Sequence, residues 1–217
     1  MINQALYEEY NKYCLDVARN PTGADALLWG RICEYEADGL FDDMTFSPNS
    51  IVSKFVKYEY QNEGGKWISS WDDMKMALDD EGNWFRYYVR ELEPGVGGQA
   101  NSKERTIVID PKYAEDKTVI LHELIHAHEY IVNERYMFYH DILTLCLYND
   151  LKNKISDLDD RILDHTHIIH GTQISHQGGS HDILFFLKSL DLDLRLGCKL
   201  GTVCGYRRDR YANSPDT

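Results

Sequence analysis

No stretch of this chain approaches the roughly 18 consecutive apolar residues that a membrane span requires. Its opening, Met1-Ile2-Asn3-Gln4-Ala5-Leu6-Tyr7-Glu8-Glu9, has neither a basic lead nor an apolar core. A Sec-type signal is therefore not expected, and a cytoplasmic setting without membrane contact is. Cysteine is scarce and scattered: Cys14, Cys33, Cys146, Cys198 and Cys204 form an odd set. Such a set suits a reducing compartment better than a disulfide framework. Cys198 and Cys204 have no second pair beside them, which speaks against a zinc ribbon. Positive charge is the other shortage, with 23 basic against 36 acidic residues and a formal charge of −13. A polyanion is repelled at long range by such a surface unless a local basic patch compensates. The one gathering of cations, Lys199, Arg207, Arg208 and Arg210, is interrupted by Asp209 and reads as a solvated tail. Nucleic acid is not the expected partner.

What remains is a chain able to fold. Its 217 residues suit one domain with a sizeable core, and a hydrophobic share of 43% argues against disorder. Residues 1–114 read as helices plus a small sheet, 115–195 as mainly helical, and 196–217 as a tail. Leu6, Tyr10, Tyr13 and Val17 recur at helical spacing up to Asn20-Pro21, and a second helix is expected from Asp25 to about Ala37. Residues 51–68 read as a hairpin and 72–80 as a short helix. Trp84–Leu92 reads as a strand with Phe85, Tyr87 and Val89 on one side, and Pro94–Gly98 as a loop. Alternation and β-branching make Arg105–Asp110 a strand. A helix follows from about Glu115 to Arg135. Leu145, Tyr148, Leu151, Ile155, Leu158 and Ile162 predict one long helix or a helical hairpin packing on a core. His165–Gly171 reads as a polar loop, with Ser180 as an N-cap before a short apolar helix, Ile183–Leu190.

Within the 115–135 helix stands His122-Glu123-Leu124-Ile125-His126, the HExxH pattern of zinc-dependent hydrolases. Residues four apart share a helix face, so His122 and His126 can offer two imidazole nitrogens to one ion. Glu123 lies about 100° further round, placed to take a proton from a water that Zn2+ has acidified, without itself being a ligand. Apolar stripes flank the histidines, Ile120, Leu124, Ala127 and Ile131 on one side and Leu121, Ile125 and Val132 on the other. A helix apolar on both flanks is expected between two layers. Catalytic zinc commonly takes three protein ligands, and several residues compete for the third place. Glu129 lies a turn beyond the pair and is expected to orient an imidazole rather than bind metal. His170, His176 and His181 lie in a later histidine-rich stretch. Asp157, Asp159, Asp160 and Asp164 offer an acidic alternative, although they read more simply as a solvated face.

The strand Arg105–Asp110, the run His122-Glu123-Leu124-Ile125-His126-Ala127 and the later pair His181 and Phe185, four residues apart, resemble the SprT-like (Spartan-type) metalloprotease family. The resemblance covers roughly residues 100–195. It implies an α+β zincin-like fold: a small, mostly antiparallel twisted sheet, an active-site helix and a helical C-terminal part. It also implies that His181 completes a zinc site with His122 and His126, and that Glu123 is the general base. The chain departs from the family in having Asp182 where a glycine is usual, and in a longer stretch between His126 and His181. His170-Gly171 is therefore an alternative counterpart of the family's His-Gly.

The function expected is hydrolysis of peptide bonds in a protein or peptide substrate by a zinc-activated water. Tyr206, His176 and Arg207 are candidate oxyanion partners, and the Arg105–Asp110 strand or its neighbour is expected to bind substrate backbone. Two alternatives stand beside it. One is a gluzincin-like or toxin-like endopeptidase with an acidic third ligand. The other is a non-catalytic module in which zinc is structural, which would require four protein ligands.

Overall fold

A computed structural model describes residues 4–44, 85–135, 137–171 and 181–205, of which 131–135, 137–139 and 166–171 are described by their backbone alone. The expected hairpin over 51–68, the helix over 72–80, His176, Ser180, and the basic residues beyond position 205 lie outside the described residues. The protein is α+β. Among the described residues there are six α-helices and a three-stranded sheet. The helices are α1 (Gln4–Arg19), α2 (Ala24–Ala37), α3 (Lys117–Arg135), α4 (Met137–Lys152), α5 (Leu158–Gly171) and α6 (Ile183–Leu196). The strands are β1 (Arg86–Val89), β2 (Gly98–Asn101) and β3 (Thr106–Ile109), in the order β1-β3-β2.

The sheet departs from the expectation of mostly antiparallel pairing. Among the described residues it is mixed: β1 runs parallel to β3, and β2 antiparallel to it. β2 begins at Gly98, inside the expected loop, because a Gly-Gln-Ala-Asn strand lacks the β-branched signature by which strands are read. Its pairing with Thr106–Ile109 supplies what its own side chains do not. β3 is central, with a strand on each side, so among the described residues its neighbour β2, not β3, is the outer strand on the site's side. Tyr87, Phe85, Ile107 and Ile109 are buried, as their alternation predicts.

Asp116 starts α3, its Oδ1 accepting from the Thr118 amide at 3.0 Å and the Thr118 hydroxyl at 2.6 Å. Ile120, Leu121, Leu124, Ile125 and Ala127 are all at most 1% exposed, so both flanks of the helix are covered. β2 and β3 lie on one side, α4 and α6 on the others. The stripe from Leu145 to Ile162 is divided between α4 and α5, with Ile155 in the connection, where the Lys154 and Ile155 amides both turn back to the Leu151 carbonyl at 2.8 Å. His165–Gly171 is not a loop; it completes α5. Its three histidines and Thr166 mask the helical period in the sequence. α6 also runs further than expected, to Leu196, closed by Gly197 in the left-handed region (φ 65°). Asp182 is its N-cap, accepting from the Phe185 amide at 3.0 Å.

Candidate metal centre

Three imidazoles meet in the space between α3 and α6. His122 and His126 sit one turn apart on α3, with ring centroids 5.2 Å apart. His181 enters from the residue before the α6 cap. Its Nε2 lies 3.1 Å from His126 Nε2 and 3.1 Å from His122 Nε2. Phe185, one turn into α6, packs against all three rings at centroid distances of 4.8, 4.6 and 4.3 Å. The spacing of four between His181 and Phe185 thus has a physical meaning: helical geometry brings the ring back beneath the imidazole that precedes the helix.

Partners on the far side of two rings fix which nitrogen faces inward. His122 Nδ1 lies 2.9 Å from the Val203 carbonyl, which can only accept, so Nδ1 carries the proton and Nε2 presents a lone pair. That carbonyl is itself held. Asp193, fully buried on α6, accepts from the backbone amides of Gly201 at 2.7 Å, Thr202 at 3.1 Å and Val203 at 3.0 Å. Residues beyond 196 read as a tail from sequence, but Val203 is 1% exposed and belongs to the core. His126 turns Nδ1 toward Glu129 Oε2 at 3.6 Å. Glu129 is 2% exposed, and its Oε1 has no hydrogen-bond partner among the described residues. Burial, then the neighbouring Asp182 carboxylate, raise its carboxyl well above the usual range.

The donor set suits a borderline-soft cation. Burial depresses all three histidines: His122 falls below its usual value, His126 to about 3 and His181 to about 2, the latter two lowered further by neighbouring imidazoles. Neutral imidazoles converging through Nε2 are poor partners for one another, because one proton on His181 serves only one of its two contacts well. A divalent cation at the point of convergence draws on all three lone pairs at once. Nitrogen ligands held at about 2.0–2.1 Å in a tetrahedral site lie about 3.3 Å apart, close to the spacing observed. Three imidazole nitrogens fit zinc well.

Glu123 stands beside this set on α3, 5% exposed, with burial pushing its carboxyl up to about 8. It faces β2. A Cβ placed on Gly98 would fall 2.6 Å from Glu123 Cγ and 2.7 Å from its Oε1, so only glycine lets the strand approach the carboxylate. That close approach distinguishes Gly98 from the turn glycine Gly95, at which a Cβ would meet nothing within 4 Å.

Other candidates are placed elsewhere. Asp157, Asp159, Asp160 and Asp164 are exposed; Asp157 pairs with Arg161 at 2.9 Å, and Asp159 accepts from the Tyr148 hydroxyl at 2.8 Å. His170 lies in α5, where only the backbone is described. Among the described residues a second group of potential donors, Glu129, His140 and Asp182, adjoins the first. His140 and His165 carry no signal in the sequence, since their partners are remote in the chain. Comparison with protein-family models, with curated proteins and with solved structures returns no match, so the chemistry of the site has to carry its own interpretation.

Proposed function

We propose that this protein is a zinc peptidase of the zincin type, similar to the SprT-like proteases, with His122, His126 and His181 as ligands and Glu123 as general base. The observation that carries this reading is the approach of His181 Nε2 to within 3.1 Å of both α3 imidazoles, next to a buried glutamate of the same helix. Bound there, zinc supplies Lewis acidity, lowering the pKa of a water toward neutrality. Glu123 would serve there as the base that holds the proton of an attacking water and hands it to the departing amine. A base is most useful when its pKa lies near the working pH. Burial moves Glu123 upward from the carboxylate range, and a nearby cation favours its ionised form. The Val203 carbonyl holds His122 in the tautomer that leaves Nε2 bare, and Phe185 keeps water from the inner faces of the rings.

The peptide class is supported by β2. It is the outer strand beside Glu123, paired on one side to β3 and on the other to no strand among the described residues. An extended peptide can add there through backbone hydrogen bonds. A protein or peptide substrate is therefore favoured over nucleic acid, in line with the net charge of −13. Among the described residues no helix is long and apolar enough to cross a membrane.

The test combines zinc analysis with peptidase assay. Wild type should hold about one zinc per chain and cleave an unfolded protein substrate. Glu123→Gln should keep its zinc and lose about 10²–10⁴-fold in rate. A folded wild-type protein that neither contains nor takes up zinc would refute the reading. Undiminished cleavage by the Gln variant would remove Glu123 from its role.

A further inference from the structure

Two histidines with no role in the proposed chemistry grip opposite ends of the same joint. His140, on α4, donates from Nε2 to Asp182 Oδ2 at 2.7 Å. His165, on α5, donates from Nε2 to the His181 carbonyl at 2.8 Å. The two helices that carry them are the segment that lengthens the chain between His126 and His181. His165 is 6% exposed and stacks on Phe186 with centroids 4.2 Å apart. Asp182 uses its other oxygen to cap α6.

Three constraints therefore meet at two residues. The His181 carbonyl is held by α5, the Asp182 side chain by α4, and the start of α6 by the Asp182 cap. Asp182 also lies in the group that contains Glu129, which faces His126 from behind. A glycine in place of Asp182 would offer neither the cap oxygen nor the partner for His140. The side chain of His181 leaves the backbone between these grips, so its Nε2 has little freedom to swing away from His122 and His126.

We propose that α4 and α5 serve as a clamp on the third metal ligand, with His140 and His165 as positioning residues acting through Asp182 and the His181 carbonyl. The proposal rests on His181 being a ligand. Partners that orient a metal-binding group commonly contribute about ten- to a hundredfold in metal affinity. The clamp works by preorganisation: without it, His181 samples other directions, and binding has to gather it back.

The experiment measures zinc affinity by competition with a chromogenic chelator, and the visible spectrum of the Co2+ form, which reports ligand geometry. His140→Ala and His165→Ala should each weaken zinc binding by about ten- to a hundredfold, with an altered Co2+ spectrum. His140→Gln and His165→Gln, whose amides reach close to the Nε2 position, should recover most of the affinity. That rescue separates positioning from loss of packing. Asp182→Asn provides a check should an Ala variant not fold. It retains an oxygen for the Phe185 amide but puts an amide donor opposite His140, and should weaken zinc to a similar degree.

Wild-type protein that binds one zinc, with folded Ala and Asn variants matching its affinity and Co2+ spectrum, would overturn the clamp while leaving the metal centre intact. Wild-type protein that binds no zinc would overturn both. Two zinc ions in wild type, with one lost in His140→Ala, would also overturn it, by making His140 a ligand.

Discussion

α6 carries one buried polar cluster in its middle and borders another at its start, and the two handle charge in opposite ways. In the middle, Lys188 is fully buried, yet its Nζ meets Asp43 Oδ1 at 2.6 Å and Asp191 Oδ2 at 2.8 Å. Arg195 adds a second cation to Asp191 at 3.0 Å, and Phe41 offers its ring face to Lys188. Two acids and two bases balance the charge of this cluster, with Asp43 Oδ2 left without a hydrogen-bond partner among the described residues. At the start of the helix, His122, His126, His181 and Glu123 are gathered with no compensating cation among the described residues, and burial displaces each from its usual pKa. A fold gains nothing from burying such groups unless something else completes them. The first cluster balances its charge within the protein; the second would be completed by a metal ion under the reading proposed above.

The largest effect should come from opening the charge-balanced cluster. Lys188→Met leaves Asp43 and Asp191 short of a cation and should cost about 3–5 kcal/mol, read from urea unfolding. Zinc per folded chain should not change. A variant that is stable but has lost zinc would erase the distinction between the clusters.

The complementary change should act in reverse. In wild type, zinc at about a thousand times its dissociation constant should raise stability by about 4 kcal/mol. His126→Ala should abolish that gain while the metal-free protein keeps most of its stability. A zinc-dependent rise in melting temperature that survives in the variant would show that His126 is not a ligand.

Asp193 belongs to neither extreme and sharpens the contrast. Burial pushes its carboxyl up to about 6 from 3.8, against three backbone amides that pull it down. Between those values the unfolded chain has released a proton that the folded chain still holds. Its contribution therefore makes stability fall as pH rises from about 4 to about 6, by no more than about 3 kcal/mol, and stay level above that. Asp193→Asn should remove this slope. Unfolding midpoints of both proteins across the window decide it; parallel curves would mean that the carboxyl titrates normally.

The smallest effect is expected far from both clusters. Arg90 forms a two-point contact with Asp25, Nη1 to Oδ1 and Nη2 to Oδ2, each at 2.8 Å, but its side chain is 56% exposed. Arg90→Ala should cost no more than about 1 kcal/mol and leave zinc affinity unaltered. A larger loss would show that the β1 edge supports the centre as strongly as α6 does.

The sequence made α3 legible because its information is local: the HExxH spacing and the apolar flanks both fall within one periodic element. The same holds for α1, α2, β3 and the buried side of β1. β2 was hidden because its stability resides in a partner strand, and the helical character of His165–Gly171 because polar residues obscure its period. Glu129 was expected to face an imidazole, and it does face His126. The roles of Gly98, Val203, Asp193, His140 and His165 were hidden for a common reason. Each acts on a residue distant in the chain, three of them through a backbone atom that leaves no trace in composition.

By itself, then, the sequence determined a helix with two imidazoles on one face and a carboxylate beside them, because a period of 3.6 residues leaves no other arrangement for that motif. It also pointed to a short apolar helix just after His181, with Phe185 four residues on. Only the tertiary structure decided that His181 meets the α3 pair, that Asp193 steers Val203 to His122, and that β2 comes close enough for Gly98 to be required. Those outcomes depend on how layers pack across α3, and packing is set by the sum of many distant contacts rather than by any short run of residues.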